Sequence, residues 1–176
     1  SLANRRLELE AILASAFPNW KKFIGTFRPK RDNKTKGYKK GESIKRYKEQ
    51  TFNPNSRDHI SDRLMARGWK PKVFTPDGKP KVDETVLNSL PYKEAKILSE
   101  HFTIQKRIAQ LAEGKQAWLK LERNNKIYGK VIENGAISGR CTHNSPNVAQ
   151  VPSNSVPFGT ECRSLFIAPD GFSLVG

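Results

Sequence analysis

The stretch "GAISGRCTHNSPNVAQVP", residues 135–152, decides the fold class, because the chain changes character there. Upstream, apolar residues recur at three- and four-residue spacing. Here Pro146 and Pro152 forbid a continuous helix, since proline donates no backbone hydrogen bond and clashes with the preceding turn. Just before it, "KIYGKV" and "GAISGR" flank Glu133-Asn134-Gly135, and Asn-Gly is the strongest short hairpin signal, so a hairpin is expected over 126–140. A second is expected with "RSLFIA" and "FSLVG" on either side of Pro169-Asp170-Gly171. Helices followed by paired strands give an α+β fold.

Working backwards, residues 91–113 form the longest periodic segment, with Ile97, Ile104, Ile108 and Leu111 along one stripe and Gly114 as the stop. It is expected to pair antiparallel with residues 1–17, where Leu9, Ile12, Leu13 and Phe17 share a helical face. Between them, "FNPNSRDHISDRLMARGW" predicts a helix capped by Asn55 or Ser56, carrying Ile60, Leu64 and Met65 and stopped by Gly68. Arg57, Arg63 and Arg67 occupy its other face. Residues 70–90 read as a turn-rich connector with a reverse turn at Pro76-Asp77-Gly78.

Residues 21–48 carry twelve Lys or Arg, two acids and three glycines, which reads as a flexible basic loop. Its cations include Lys21, Lys22, Arg28, Lys30, Arg31, Lys39, Lys40, Lys45 and Arg46. Phe23, Phe27, Tyr38 and Tyr47 interleave with them, either as a nucleic-acid groove requires or as anchors to the body. Over all 176 residues the net charge is +15, which calls for a polyanionic partner, nucleic acid before anionic membrane. No long apolar run or leader pattern supports a membrane or secreted protein, and Cys141 and Cys162 lack the spacing of a disulfide framework or zinc site.

No Ser/His/Asp arrangement, phosphate loop or carboxylate pair stands in residues 135–152. His143 alone has the chemistry of a base, although a lone histidine ordinarily fixes a loop. Arg140, Asn147 and Gln150 supply donors, and the minor groove presents acceptors in nearly equivalent places at every base pair. Such donors test pair geometry without reading sequence.

These residues carry a resemblance. "GAISGRCTHNSPNVAQVP" followed by "ECRSLFIAPDGFSLVG" resembles the start of the palm of family A DNA polymerases, and "FNPNSRDHI", "QKRIAQLAEG" and "AWL" occur in the family's order. The nearer likeness is to replicative polymerases of short-tailed bacteriophages, over residues 52–176. It implies antiparallel thumb helices followed by antiparallel palm hairpins, a partial domain of a polymerase hand. The division is 1–20 as first thumb helix, 21–51 as a basic thumb insertion loop, 52–114 as thumb helices and 115–176 as the start of the palm, stopping short of the first catalytic aspartate.

By the same resemblance Arg140 reaches the minor groove at the primer terminus, and Asn147 and Gln150 line the same duplex, with His143 as a groove-side candidate. Ser56, Arg57, Lys106 and Arg107 contact the DNA backbone. Mg2+ serves the complete polymerase through ligands outside this chain. The implied partners are primer-template DNA, a second polypeptide carrying the fingers and remaining palm, and an exonuclease domain borne separately. The short basic segment argues against thioredoxin. The chain is then an isolated fragment or one subunit of a polymerase encoded in pieces, inactive alone and at work in the cytoplasm, the host's if phage-encoded. The rival reading is a non-catalytic basic nucleic-acid-binding protein, which explains the charge but not the ordered motifs.

Overall fold

The computed structural model describes residues 1–173. The chain divides into two compact units, one made of residues 7–99 and the other of residues 1–6 with the chain from 100 onward. The fold is α+β, with small antiparallel two-stranded sheets.

In the 7–99 unit, helix α1 (Leu2–Ala16, which begins in the other unit) buries Leu9 and Leu13, and Phe17 follows inward. Ile12, expected on that face, is exposed. Strands β1 (Trp20–Phe27) and β2 (Ile44–Gln50) then pair antiparallel, from Trp20 opposite Gln50 to Phe27 opposite Ile44, with a bulge between Phe23 and Gly25. The expected flexible loop is therefore a β-hairpin. Trp20, Phe23, Ile24, Thr26 and Phe27 are strong strand formers, and their ladder overrides the charge between them. Only 28–43 connects the strands, stitched by the reciprocal Asn33–Tyr38 bridge.

Helix α2 (Arg57–Ala66) starts where the Ser56 hydroxyl accepts the His59 amide and ends before Gly68, whose φ of 99° only glycine adopts freely. Ile60 and Leu64 are fully buried, whereas Met65 is exposed. The turn at 76–78 forms as expected, closed by the Gly78 amide on the Thr75 carbonyl. The rest of the connector holds a short helix, α3 (Glu84–Ser89), capped by Asp83, whose carboxylate accepts the Val86 amide at 2.8 Å. Arg67 closes the packing of this unit. Its Nη2 donates to the Ala16 carbonyl at 2.7 Å, its guanidinium lies 4.7 Å from the Phe17 ring centre, and Nη1 pairs with Glu94.

Helix α4 (Lys93–Ile108) runs from this unit into the other and continues as one π-helical turn, Ala109–Glu113. Its buried positions are Ala95, Leu98, Ser99, His101, Phe102, Ile104, Arg107 and Ile108, so Leu98 rather than Ile97 leads the apolar stripe. In the second unit, Arg5 makes a bidentate pair with Glu100, while Arg6 bonds Gln105 and Glu113. Helix α5 (Trp118–Leu121) buries Trp118 edge-on against Phe166.

Two small hairpins follow. β3 (Glu122–Arg123) and β4 (Lys126–Ile127) turn through Asn124-Asn125, both at positive φ. β5 (Lys130–Ile132) pairs with β6 (Thr142–Asn144). The expected hairpin about Asn134-Gly135 is thus replaced: Asn134 does take φ 51°, but the ladder resumes only at Thr142. A Cβ on Gly135 would lie 2.1 Å from the Thr142 hydroxyl, so the loop needs glycine to fold back this closely. The second expected hairpin also differs. Arg163 and Ser164 end helix α6 (Gly159–Ser164), and residues 165–168 form no strand, although the turn at 169–172 closes with the Phe172 amide on the Pro169 carbonyl. The end of "FSLVG", 174–176, lies outside the described residues.

Candidate nucleic-acid interface

The first basic surface is the β1–β2 hairpin, fixed to α2 by one of its faces. Lys22 pairs with Asp62 at 2.6 Å. The Trp20 ring meets His59 edge-on at 5.3 Å and lies 4.3 Å below the Arg63 guanidinium, a cation–π contact that occupies Arg63 in holding the arm. Lys22 is therefore half-buried in an ion pair, while Lys21, Arg28, Lys30, Arg31, Lys39, Lys40, Lys45 and Arg46 are exposed. Lys21, Lys45 and Arg46 stand in the paired strands, whose ladder fixes their register, while Arg28, Lys30, Arg31, Lys39 and Lys40 lie on the 28–43 connection.

At the start of α2, the Ser56 hydroxyl is committed to the His59 amide. Asn53 donates its amide to His59 Nδ1 and accepts the Asn55 amide on its side chain, so the turn before the helix caps itself. Arg57 is exposed beside Asp83 and Glu84. Partial burial lowers its pKa, and the two acids oppose that shift.

The second surface lies in the other unit. Arg140 is exposed, and its carbonyl accepts the Ala136 amide. His143 sits in β6 opposite Val131 and is half-buried. After the cis Ser145–Pro146 bond, Asn147 caps the 3-10 turn Val148–Gln150, its Oδ1 accepting the Ala149 amide at 3.1 Å. That leaves the Asn147 amide group as its donor. Gln150 is exposed, and its backbone carbonyl accepts a bond from Gln110.

Lys106 and Arg107, expected together on the backbone of DNA, point differently. Lys106 is exposed in the last turn of α4. Arg107 is only 8% exposed and donates from Nε to the Pro157 carbonyl and from Nη1 to Gln110 Oε1, both at 3.3 Å. Its burial follows from helical geometry, since Ile104 and Ile108 put position 107 on the inward face. The Arg107 side chain ties the end of α4 to the loop before α6. Burial raises the pKa of the neighbouring Cys162 thiol, and the Arg107 charge opposes that rise.

Arg123, Lys126 and Lys130 are exposed on the small hairpins of the Arg140 unit and were not among the residues expected from the sequence. Their signal was the Asn-Asn turn, which pairs Arg123 with Lys126 across β3 and β4. Among the described residues no three of His, Cys, Asp and Glu gather into a metal-binding group, and no helix is long and apolar enough to cross a membrane.

Comparison with known proteins agrees with the family resemblance. The chain matches the family described as DNA polymerase family A over residues 28–176. It is 48% identical over 122 residues to the DNA-directed DNA polymerase of Enterobacteria phage T3 and 47% identical over 122 residues to that of Escherichia phage T7. Each match covers 65% of this chain and 17% of the relative, so the matched part is about one sixth of those polymerases. With the family match covering residues 28–176, well over half of its length, the chain belongs to DNA polymerase family A.

Proposed function

We propose that this chain is the DNA-gripping part of a DNA-directed DNA polymerase of phage-type replication, comprising thumb and the start of the palm and working in the cytoplasm. The observation that carries the reading is the separation of roles in the 100–173 region: Arg140, Gln150 and Lys106 are exposed, while Arg107 and the acceptor oxygen of Asn147 are spent on the fold. Exposed cations bind phosphates and supply affinity, whereas Arg140 and Gln150, with the amide of Asn147, offer donors to minor-groove acceptors and supply register. His143, in β6 between Arg140 and Asn147, is the groove-side candidate, and Arg57 joins the phosphate contacts. The hairpin arm, in place of a thioredoxin site, holds DNA by charge.

Family A chemistry uses Mg2+ bound by carboxylates to activate the primer hydroxyl and stabilise the transferred phosphoryl group. The described residues do not fit those ions, because no ligand cluster is among them, and no chemical step is assigned to them. The remaining palm, fingers and any exonuclease domain belong to the rest of the polymerase, either within one polypeptide or in a second one.

Two measurements test this reading. Fluorescence anisotropy should show tighter binding to a primer-template junction than to a blunt duplex of equal phosphate number. Arg140→Ala should reduce that preference by about tenfold, the value of one good groove contact, with little loss of blunt-duplex affinity. Equal binding to both DNA forms would instead favour a general basic nucleic-acid binder. Primer extension with Mg2+ should require the remaining palm and fingers; extension by this chain alone would sink the proposed division of labour.

A further inference from the structure

On its face away from α2 the hairpin arm carries aromatic rings that a grip on duplex phosphates does not use. Strand side chains alternate between faces, and Trp20 and Lys22 of β1 point toward α2, where they meet His59, Arg63 and Asp62. Lys21 and Phe23 therefore occupy the opposite face. The ladder places Tyr47 across from Phe23, Glu49 across from Lys21, and Lys45 two residues from Tyr47 on the same strand face. The Phe23 and Tyr47 rings meet at 5.8 Å and 63°, yet remain 51% and 54% exposed. The hairpin as a whole is fixed by its anchored face, so this aromatic pair is held on a supported strand surface and not on a mobile tail.

We propose that this face, centred on Phe23 and Tyr47, binds single-stranded DNA by stacking unpaired bases on the two rings, with Lys21 and Lys45 on the adjoining phosphates. The inference deepens the DNA-binding reading of the arm and rests on it. A duplex offers phosphates and groove edges but keeps its base faces stacked inside, so exposed rings gain nothing from it. An unpaired base has an open π-face that matches an aromatic platform irrespective of sequence. Charge suits a polyanionic strand of either kind, since residues 21–48 carry twelve cations against two acids and Glu49, across from Lys21, is the carboxylate that the ladder places on this face; the rings supply the preference for unpaired bases. In a polymerase, such a platform would hold template not yet copied or a primer strand lifted from its template.

The test uses the whole chain, a fluorescein-labelled oligothymidylate of about twelve nucleotides and a self-complementary duplex with the same number of phosphates. Anisotropy titrations compare wild type with Phe23→Leu/Tyr47→Leu, which keeps apolar bulk, and with Tyr47→Phe, which keeps the ring; circular dichroism checks the fold. The double variant should bind the single strand about tenfold more weakly while duplex affinity stays within about twofold. Tyr47→Phe should bind both as wild type does. Equal losses on both DNA forms, no loss on either, or a tenfold loss from Tyr47→Phe would overturn the stacking platform. Polyglutamate displacing the oligonucleotide as well, per charge, as unlabelled oligothymidylate would overturn it too, by marking a general polyanion surface. Wild-type binding to the duplex alone refutes this inference but leaves the grip intact, whereas binding to neither refutes both.

Discussion

Replacing Lys106 and Arg107 one at a time separates a DNA contact from a structural tie between two adjacent cations. Arg107 holds two acceptors, the Pro157 carbonyl and Gln110 Oε1, from a guanidinium that is 8% exposed. A hydrogen bond to a charged group contributes about 1.5–3 kcal/mol. Both distances here are 3.3 Å, at the long end, which argues for the lower part of that range for each bond. Relief of the buried charge's desolvation offsets part of the sum. Arg107→Ala should then cost about 2–3 kcal/mol, or roughly 4–12 °C in melting temperature for a chain of this size. Its salt dependence of DNA binding should not change, because the guanidinium is buried and bonded within the fold. Lys106→Ala should do the reverse. Stability should stay within about 0.5 kcal/mol, as for an ordinary surface site. The slope of log affinity against log salt should fall by about 0.9, the counterion released at one duplex phosphate. Thermal melts and anisotropy titrations between about 50 and 200 mM salt read both quantities on the same samples. If Arg107→Ala lowered the slope by about one and left the melt unchanged, the inward assignment of Arg107 would be wrong. An unchanged slope for Lys106→Ala would remove it from the phosphate contacts.

Arg67→Ala should destabilise by about 2–4 kcal/mol, since one side chain caps the Ala16 carbonyl, pairs with Glu94 and covers Phe17; a urea midpoint unchanged at equal slope would refute that. Gly159→Ala should cost at least about 2 kcal/mol, because its Cβ would fall 1.7 Å from the Ser153 carbonyl oxygen and the backbone must move; a wild-type melt would show the contact relaxes freely. The Asp83 carboxylate is held below the ordinary aspartate value of 3.8 first by the Val86 amide and then by Lys81. A lowered folded value contributes stability above the unfolded pKa and loses it as pH falls through the folded one. Asp83→Asn keeps a capping oxygen without that titration, so its deficit in urea melts should be constant from about pH 6 to 8 and shrink from about pH 5 to 3; a deficit independent of pH would contradict the assignment.

Some elements were legible because one residue decides them. Ser56 capping α2, Gly68 ending it and the 76–78 turn all follow from local backbone chemistry that needs no partner. The β1–β2 hairpin was not legible in the same way. One of its faces is solvated, so its strands show no apolar alternation, and twelve cations hid the cluster of Trp20, Phe23, Ile24, Thr26 and Phe27. Asn134-Gly135 misled for a different reason. Asn134 takes the expected left-handed conformation, but the close approach of Gly135 to Thr142 sends the chain through a longer loop, while the two-residue turn forms at Asn124-Asn125.

The same distinction bears on what a family likeness means at the level of residues. In "FNPNS", Asn53 and Ser56 satisfy the backbone that enters α2. In "QKRIAQ", Arg107 and Gln110 bond each other and the carbonyls of Pro157 and Gln150. In "SPNVAQ", Asn147 caps the turn that carries Gln150. Each of these stretches thus spends polar groups on building the fold, as short polar side chains near turns generally do. The motifs place a few neighbours outward: Lys106 beside Arg107, Gln150 beyond Asn147, and Arg140 ahead of β6. A change at an inward member should therefore weaken binding only through stability, and be rescued by conditions that stabilise the fold. A change at an outward member should weaken binding in a chain that melts normally. Measuring affinity and melting temperature together for Arg107, Asn147, Lys106, Gln150 and Arg140 should sort them into these two groups; a normal melt with lost binding at Asn147 would show that its remaining amide donors, and not its cap, matter most.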